Sequence, residues 1–145
     1  MSPICGPSRT PNPTAITWRY RRKEYTMKFH HISLRVKNFE DSFKFYTELV
    51  GLKVNKQFEA GGGNVAYLAD AEGDTEVEII ALLEGQTFEG KGMFLCFAAN
   101  NLEAVHEKAM TLNLNPSNIR QPEPDAKYFY VYDPDGVSVQ FREYK

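Results

Sequence analysis

Residues 30–54 read HHISLRVKNFEDSFKFYTELVGLKV, and the fold follows from this stretch. The β-rich, alternating run His30–Val36 predicts a strand, which places His31 and Arg35 on one face and His30 on the other. Asn38 is a good helix N-cap, and Phe39, Phe43, Tyr46 and Val50 follow at helical spacing, so the helix runs to about Leu49. Gly51 supplies the left-handed residue that ends it, and Leu52–Phe58 resumes as a strand. Further on, Gly61-Gly62-Gly63 predicts a turn into a strand at Asn64–Ala69. Glu72-Gly73-Asp74 then turns the chain into Thr75–Leu83.

The same order recurs after a loop from Glu84 to Gly90. Met93–Ala98 reads as a strand, and Asn101 caps a helix through about Leu112. Pro116, Pro122 and Pro124 surround a weak strand near Ile119. Lys127–Tyr132, the turn Asp133-Pro134-Asp135-Gly136 and Val137–Tyr144 complete the set. An offset of 62 lays His31 on Met93 and Glu78 on Gln140. The expectation is an α+β fold of two βαβββ modules, 27–84 and 91–145, within one domain at 27–145. A chain of 145 residues buries one sizeable core and not two independent ones.

Residues 1–26 have a different character. They hold Pro3, Pro7, Pro11 and Pro13 with no apolar periodicity, which predicts a disordered arm. Arg21-Arg22-Lys23-Glu24 can be encoded as a purine-rich ribosome-binding site just upstream of an ATG for Met27. The expectation is that translation starts at Met27, and N-terminal mass analysis finding intact Met1 would refute it. The arm carries five basic residues and one acid, against 12 basic and 18 acidic residues in 27–145, a net of −6. An acidic body argues against nucleic-acid binding, which needs basic surface. No long apolar run predicts a membrane span. Cys5 and Cys96 make neither a disulfide framework nor a metal knuckle, which suits a reducing cytoplasm.

The twice-used βαβββ unit, with HHISLRVKNFEDSFKFYTELVGLKV opening the first copy and YDPDGVSVQF closing the second, resembles the vicinal oxygen chelate superfamily. Within it, glyoxalase I is the most similar subgroup. The resemblance implies a cup formed by the two modules, with one metal ligand on the first and last strand of each. It puts those places at His31, Glu78, Met93 and Gln140. It also implies a divalent ion (Ni, Zn, Co or Mn), a small-molecule substrate, a homodimer, and an Arg35 that grips a substrate carboxylate.

Two of the four places depart from the family's His and Glu. Met93 offers a soft, neutral thioether, and Gln140 a neutral amide with no pKa usable by a general base. Two readings follow. In the first, the protein is a glyoxalase I-like lyase or isomerase acting on a small oxygenated substrate, with His31, Glu78 and Gln140 as ligands and Glu78 as the catalytic carboxylate. In the second, it is a metal-independent module that binds an apolar or aromatic compound, with Met93 and the tyrosines at 128, 130 and 132 lining the cup. His106, on the second helix, is expected to face solvent. The Pro-rich stretch around Glu123 and Asp125 is a candidate lid.

Overall fold

The computed structural model describes residues 29–82 and 92–145; the expectations for residues 1–26 and for the 84–90 loop lie outside them. The first module contains β1 (His31–Arg35), α1 (Phe39–Lys44, continuing as a π-helical turn over Phe45–Leu49), β2 (Lys53–Ala60), β3 (Gly63–Ala69) and β4 (Glu76–Ala81). The second contains β5 (Phe94–Ala98), α2 (Leu102–Thr111), β6 (Arg120–Glu123), β7 (Ala126–Tyr132) and β8 (Ser138–Tyr144). Each module forms a four-stranded sheet, ordered β1-β4-β3-β2 and β5-β8-β7-β6. In each, the first and last strands pair in parallel and the other neighbours are antiparallel. This is the α+β plan of two βαβββ modules.

The local chemistry accounts for the elements. Asn38 Oδ1 accepts from the Asp41 amide at 3.0 Å, and Asn101 Oδ1 from the Ala104 amide at 3.1 Å, so each helix starts on a side-chain cap. Gly51 ends the first helix at φ +82°. Gly61 and Gly62 both take positive φ, as a two-residue type I′ hairpin requires. A Cβ on Gly63 would fall 1.6 Å from the Ala81 carbonyl oxygen, so only glycine lets β3 approach β4 there. The Pro-rich segment is the edge strand β6, where Pro122 costs no ladder bond on its outer side.

One face of each sheet is covered by helix, and the two covered faces share a core. Leu34, Ile79 and Ala66 from the first sheet and Phe129, Val139 and Phe141 from the second belong to one cluster with Phe39, Tyr46 and Leu102. Fully burying an aliphatic or aromatic side chain of this kind contributes about 1.5–3 kcal/mol. A polar strut joins the modules through the same region. Tyr46 Oη donates to Asp133 Oδ2 at 2.8 Å, and Asp133 Oδ1 accepts the amides of Asp135 and Val137 at 2.9 Å each. Ser42 Oγ and the Lys37 amide donate to Asp135. Burial pushes the Asp133 carboxyl above the usual carboxylate range, although its three donors pull the other way. Burial, followed by the Asp133 charge, raises the Tyr46 phenol far above its ordinary value.

The strand registers correct the internal alignment. Glu78 is opposite Ser33 and Tyr67, while Gln140 is opposite Cys96 and Tyr130. The module 2 counterpart of His31 is therefore Phe94, because His31 pairs with Glu76 and Phe94 with Ser138. Met93 lies just before β5, and a one-residue slip moves a strand residue to the opposite face. The offset is 63 for the first strand, the helix cap and the third strand, and falls to 62 for the last strand. The connection between β7 and β8 is one residue shorter than that between β3 and β4. Leu95 belongs to the core and Phe97 packs against it. His106 is half-buried: a ring nitrogen lies 2.9 Å from the Ser117 carbonyl oxygen, and the ring meets Phe129 edge-on.

Candidate functional site

The sheet faces turned away from the helices carry the chemistry. On the first, alternation along β1 and β4 presents His31, Ser33 and Arg35 beside Glu76, Glu78 and Ile80, with Tyr67 of β3 next to Glu78. Glu78 is only 7% exposed. Its carboxylate accepts a hydrogen bond from Ser33 Oγ, and His31 Nε2 lies 3.3 Å from Oε2. Partial desolvation, a hydrogen bond to Glu78 and the Glu78 charge push the Tyr67 phenol up. The His31 ring stands edge-on to Tyr67 with centroids 5.3 Å apart.

His30, which strand alternation sends to the opposite face, lies outside β1, and its Nδ1 is 2.7 Å from Nδ1 of His31. His31 thus has a ring nitrogen on each side in reach of a partner, Nε2 near Glu78 and Nδ1 near His30. His30 also lines a neighbouring cavity of about 590 Å³ with Val54, Asn55, Glu72, Asp74 and Glu76. Its walls include neither His31 nor Glu78, so it flanks the cluster and does not contain it. Arg35, at the end of β1 opposite Ile80, is exposed.

The corresponding face of the second module is aromatic. Phe94, Cys96 and Ala98 of β5 lie beside Ser138, Gln140 and Arg142 of β8, followed by Tyr128, Tyr130 and Tyr132 of β7. Gln140 is 5% exposed, and its Nε2 donates to Tyr130 Oη at 2.7 Å. Phe94 and Tyr128 both meet Tyr130 edge-on, at 5.7 and 5.6 Å between centroids. Cys96 is a free thiol, pushed up by burial and partly drawn back by the Arg142 charge. Met93, Phe94 and Tyr132 are exposed for apolar residues of their size.

Spacing could have located three of these groups. Ser33 is two positions from His31 and so shares its face. Asn38 and Asn101 are 63 positions apart, which carries His31 to Phe94 and Ser33 to Cys96. Tyr67 had no such signal, because its partnership with Glu78 depends on the β3–β4 register.

With this geometry in place, the comparisons can be stated. Residues 28–141 match the model of the Glyoxalase/Bleomycin resistance protein/Dioxygenase superfamily, and the chain belongs to that family. It is similar to the uncharacterized protein YwbC of Bacillus subtilis, 26% identical over 120 residues, covering 79% of this chain and 95% of the relative. Among solved structures, it resembles an antibiotic-binding protein of a Streptomyces species at 16% identity and TM-score 0.68, covering 83% of this chain and 98% of that one. It also resembles the trypanothione-dependent glyoxalase I of Leishmania major at 17% identity and TM-score 0.65, covering 80% and 86%. At these identities, the structural likeness concerns the fold.

The family includes enzymes that use a divalent metal, so the donors here can be tested against that requirement. The four equivalent places hold His31, Glu78, Phe94 and Gln140. Phe94 has no donor atom, and Gln140, whose Nε2 donates to Tyr130, can offer only a neutral amide oxygen. Among the described residues, no three His, Cys, Asp or Glu side chains are placed to hold a metal ion together. Zn²⁺, Ni²⁺, Co²⁺ and Mn²⁺ want three or four nitrogen and oxygen donors with carboxylate charge. The residues present do not fit such an ion. Nor, among the described residues, is any helix long and apolar enough to cross a membrane.

Proposed function

We propose that the protein binds a small planar or apolar compound on its two open sheet faces and needs no resident transition metal to do so. Phe94 carries this reading: the strand that would supply a third ligand supplies an aromatic ring, continuous with Tyr130 and Tyr128. Such a surface offers stacking and edge contacts, while Gln140 and the Glu78 cluster supply a few fixed polar groups. The likeness to an antibiotic-binding structure is compatible with it.

Completion of the cup by a second copy belongs to the same proposal. Within one chain, the modules meet through their covered faces and the Asp133–Gly136 turn, and β1 and β5 share no ladder. A two-fold homodimer would set the His31 and Glu78 face of one chain against the Phe94 and Gln140 face of another.

A second reading has its own observation. The His30, His31, Glu78 and Ser33 chain is an acid–base relay, which a metal-free lyase or isomerase could use on a small oxygenated substrate, with Glu78 taking the proton and His31 steadying it. One experiment addresses both. Thermal unfolding of the metal-stripped full chain is followed against Ni²⁺, Zn²⁺, Co²⁺, Mn²⁺ and a panel of small aromatic compounds, with turnover of methylglyoxal and glutathione measured in parallel. Stabilisation by an aromatic compound and by none of the ions is expected. A metal-dependent shift that disappears in the double variant His31→Ala/Glu78→Ala would overturn the proposal. Turnover lost in Glu78→Gln would establish the second reading.

A further inference from the structure

We infer that Arg142 is the anion-recognising group of the second open face, so that the compound held there carries a carboxylate or similar acidic group on an aromatic body. This rests on the reading of the open faces as a ligand site and narrows the class of ligand. Arg142 is the residue of β8 directly beyond Gln140 on that face, opposite Ala98 of β5 and Tyr128 of β7. Its guanidinium carbon lies 5.6 Å from the Tyr128 ring centroid and 5.0 Å from that of Tyr144. Two phenol rings thus lie against the cation.

Its Nε is buried and has no hydrogen-bond partner. No carboxylate or carbonyl accepts from its side chain among the described residues. The body of the chain holds 18 acids against 12 bases, so a carboxylate partner is not scarce in composition. Among the described residues it is absent from this place. The buried Nε holds the guanidinium without a protein acceptor, and its terminal nitrogens, which are not buried in the same way, can give an incoming anion charge-assisted bonds.

The internal repeat points the same way. The counterpart of Arg35 is Ala98, and the counterpart of Ile80 is Arg142. Arg35 faces Ile80 across the first ladder, and Arg142 faces Ala98 across the second. Each open face therefore keeps one guanidinium in this layer, though a different strand supplies it. The two faces differ in how they hold it, since Arg35 is exposed and Arg142 is clamped. The clamped one has lost more rotamer freedom before binding, so it is the better recognition group.

The test uses two probes of nearly the same shape, 1-naphthoate and 1-naphthamide, titrated into the full-length protein by calorimetry, with Arg142→Gln and Arg142→Met as variants. Arg142→Met retains an unbranched stem between the rings should Arg142→Gln not fold. The wild-type protein is expected to bind 1-naphthoate about tenfold or more tightly than the amide, as a charge-assisted bond to a partly buried cation implies. Added salt is expected to weaken only the acid. Either variant is expected to remove the preference and leave amide affinity within about twofold. A preference that survives both variants overturns the inference. Equal binding of the two probes by the wild-type protein also overturns it, while leaving the ligand-site reading in place. Binding of neither probe refutes both.

Discussion

Glu78 and Gln140 occupy the same place in two copies of one backbone plan, and their surroundings have diverged. Each is buried on an open sheet face and each has a tyrosine across the ladder. Around Glu78 stand Ser33, His31 and His30, groups that donate and relay protons. Around Gln140 stand Phe94, Tyr128 and Tyr130, which offer ring faces and edges. Pleat and register fix where a side chain points, not what it is, so a repeated scaffold can keep a polar anchor in both halves while assigning proton chemistry to one and apolar contact to the other.

The comparison is broken most severely by removing what holds both faces to one core. Asp133→Ala strands the Tyr46 hydroxyl and two amides, and is expected to destabilise the protein by about 3 kcal/mol in urea unfolding. A loss under 1 kcal/mol would mean the halves are joined by apolar packing alone.

Next in size is converting the second face toward the chemistry of the first. Phe94→His combined with Gln140→Glu is expected to give stabilisation of about 2.7 kcal/mol by Ni²⁺ or Zn²⁺ at a hundredfold excess over Kd. Met93→His in place of Phe94→His is expected to give none. Equal gains would place Met93, not Phe94, opposite His31. Smaller again is the anchor itself: Gln140→Leu forfeits one bond to Tyr130 and should cost about 1 kcal/mol by thermal unfolding.

The smallest effect is a pH slope. The folded Asp133 holds its proton at pH values where the unfolded chain, titrating at about 4, has released it. Its contribution is therefore full below that value and lost as pH rises through the raised folded value. Asp133→Asn should flatten this part of the stability profile, and an unchanged slope would assign it to other groups.

The elements were legible in the sequence because each carries its own local signal. Asn38 and Asn101 mark the helix starts, Gly51 an end, Gly61-Gly62 a hairpin, and alternation marks the strands. The pairing of the modules was legible as well, through their repeated order. What misled was a single offset applied along the whole repeat. The shorter connection before β8 changes that offset by one residue, and in a strand one residue is a whole face. Met93 was expected in the cup and Phe94 overlooked for that reason, although the spacing of the two capping asparagines already gave the right value. Tyr67 and Arg142 acquire their neighbours across ladders, and no local pattern shows which strand lies opposite. His106 reads as a surface residue because its contact, the Ser117 carbonyl, comes from a loop beyond the helix.

The Tyr46 to Asp133 bond and the mixed core around it have a consequence for how the molecule is held together. Every residue of that junction named above lies within 29–82 or 92–145. Those contacts hold the halves together without calling on covalent continuity. A piece ending at Leu82 and a piece beginning at Gly92, produced separately, would each expose the surface that the other covers. Mixed, they should reassemble into one nicked protein with both faces intact.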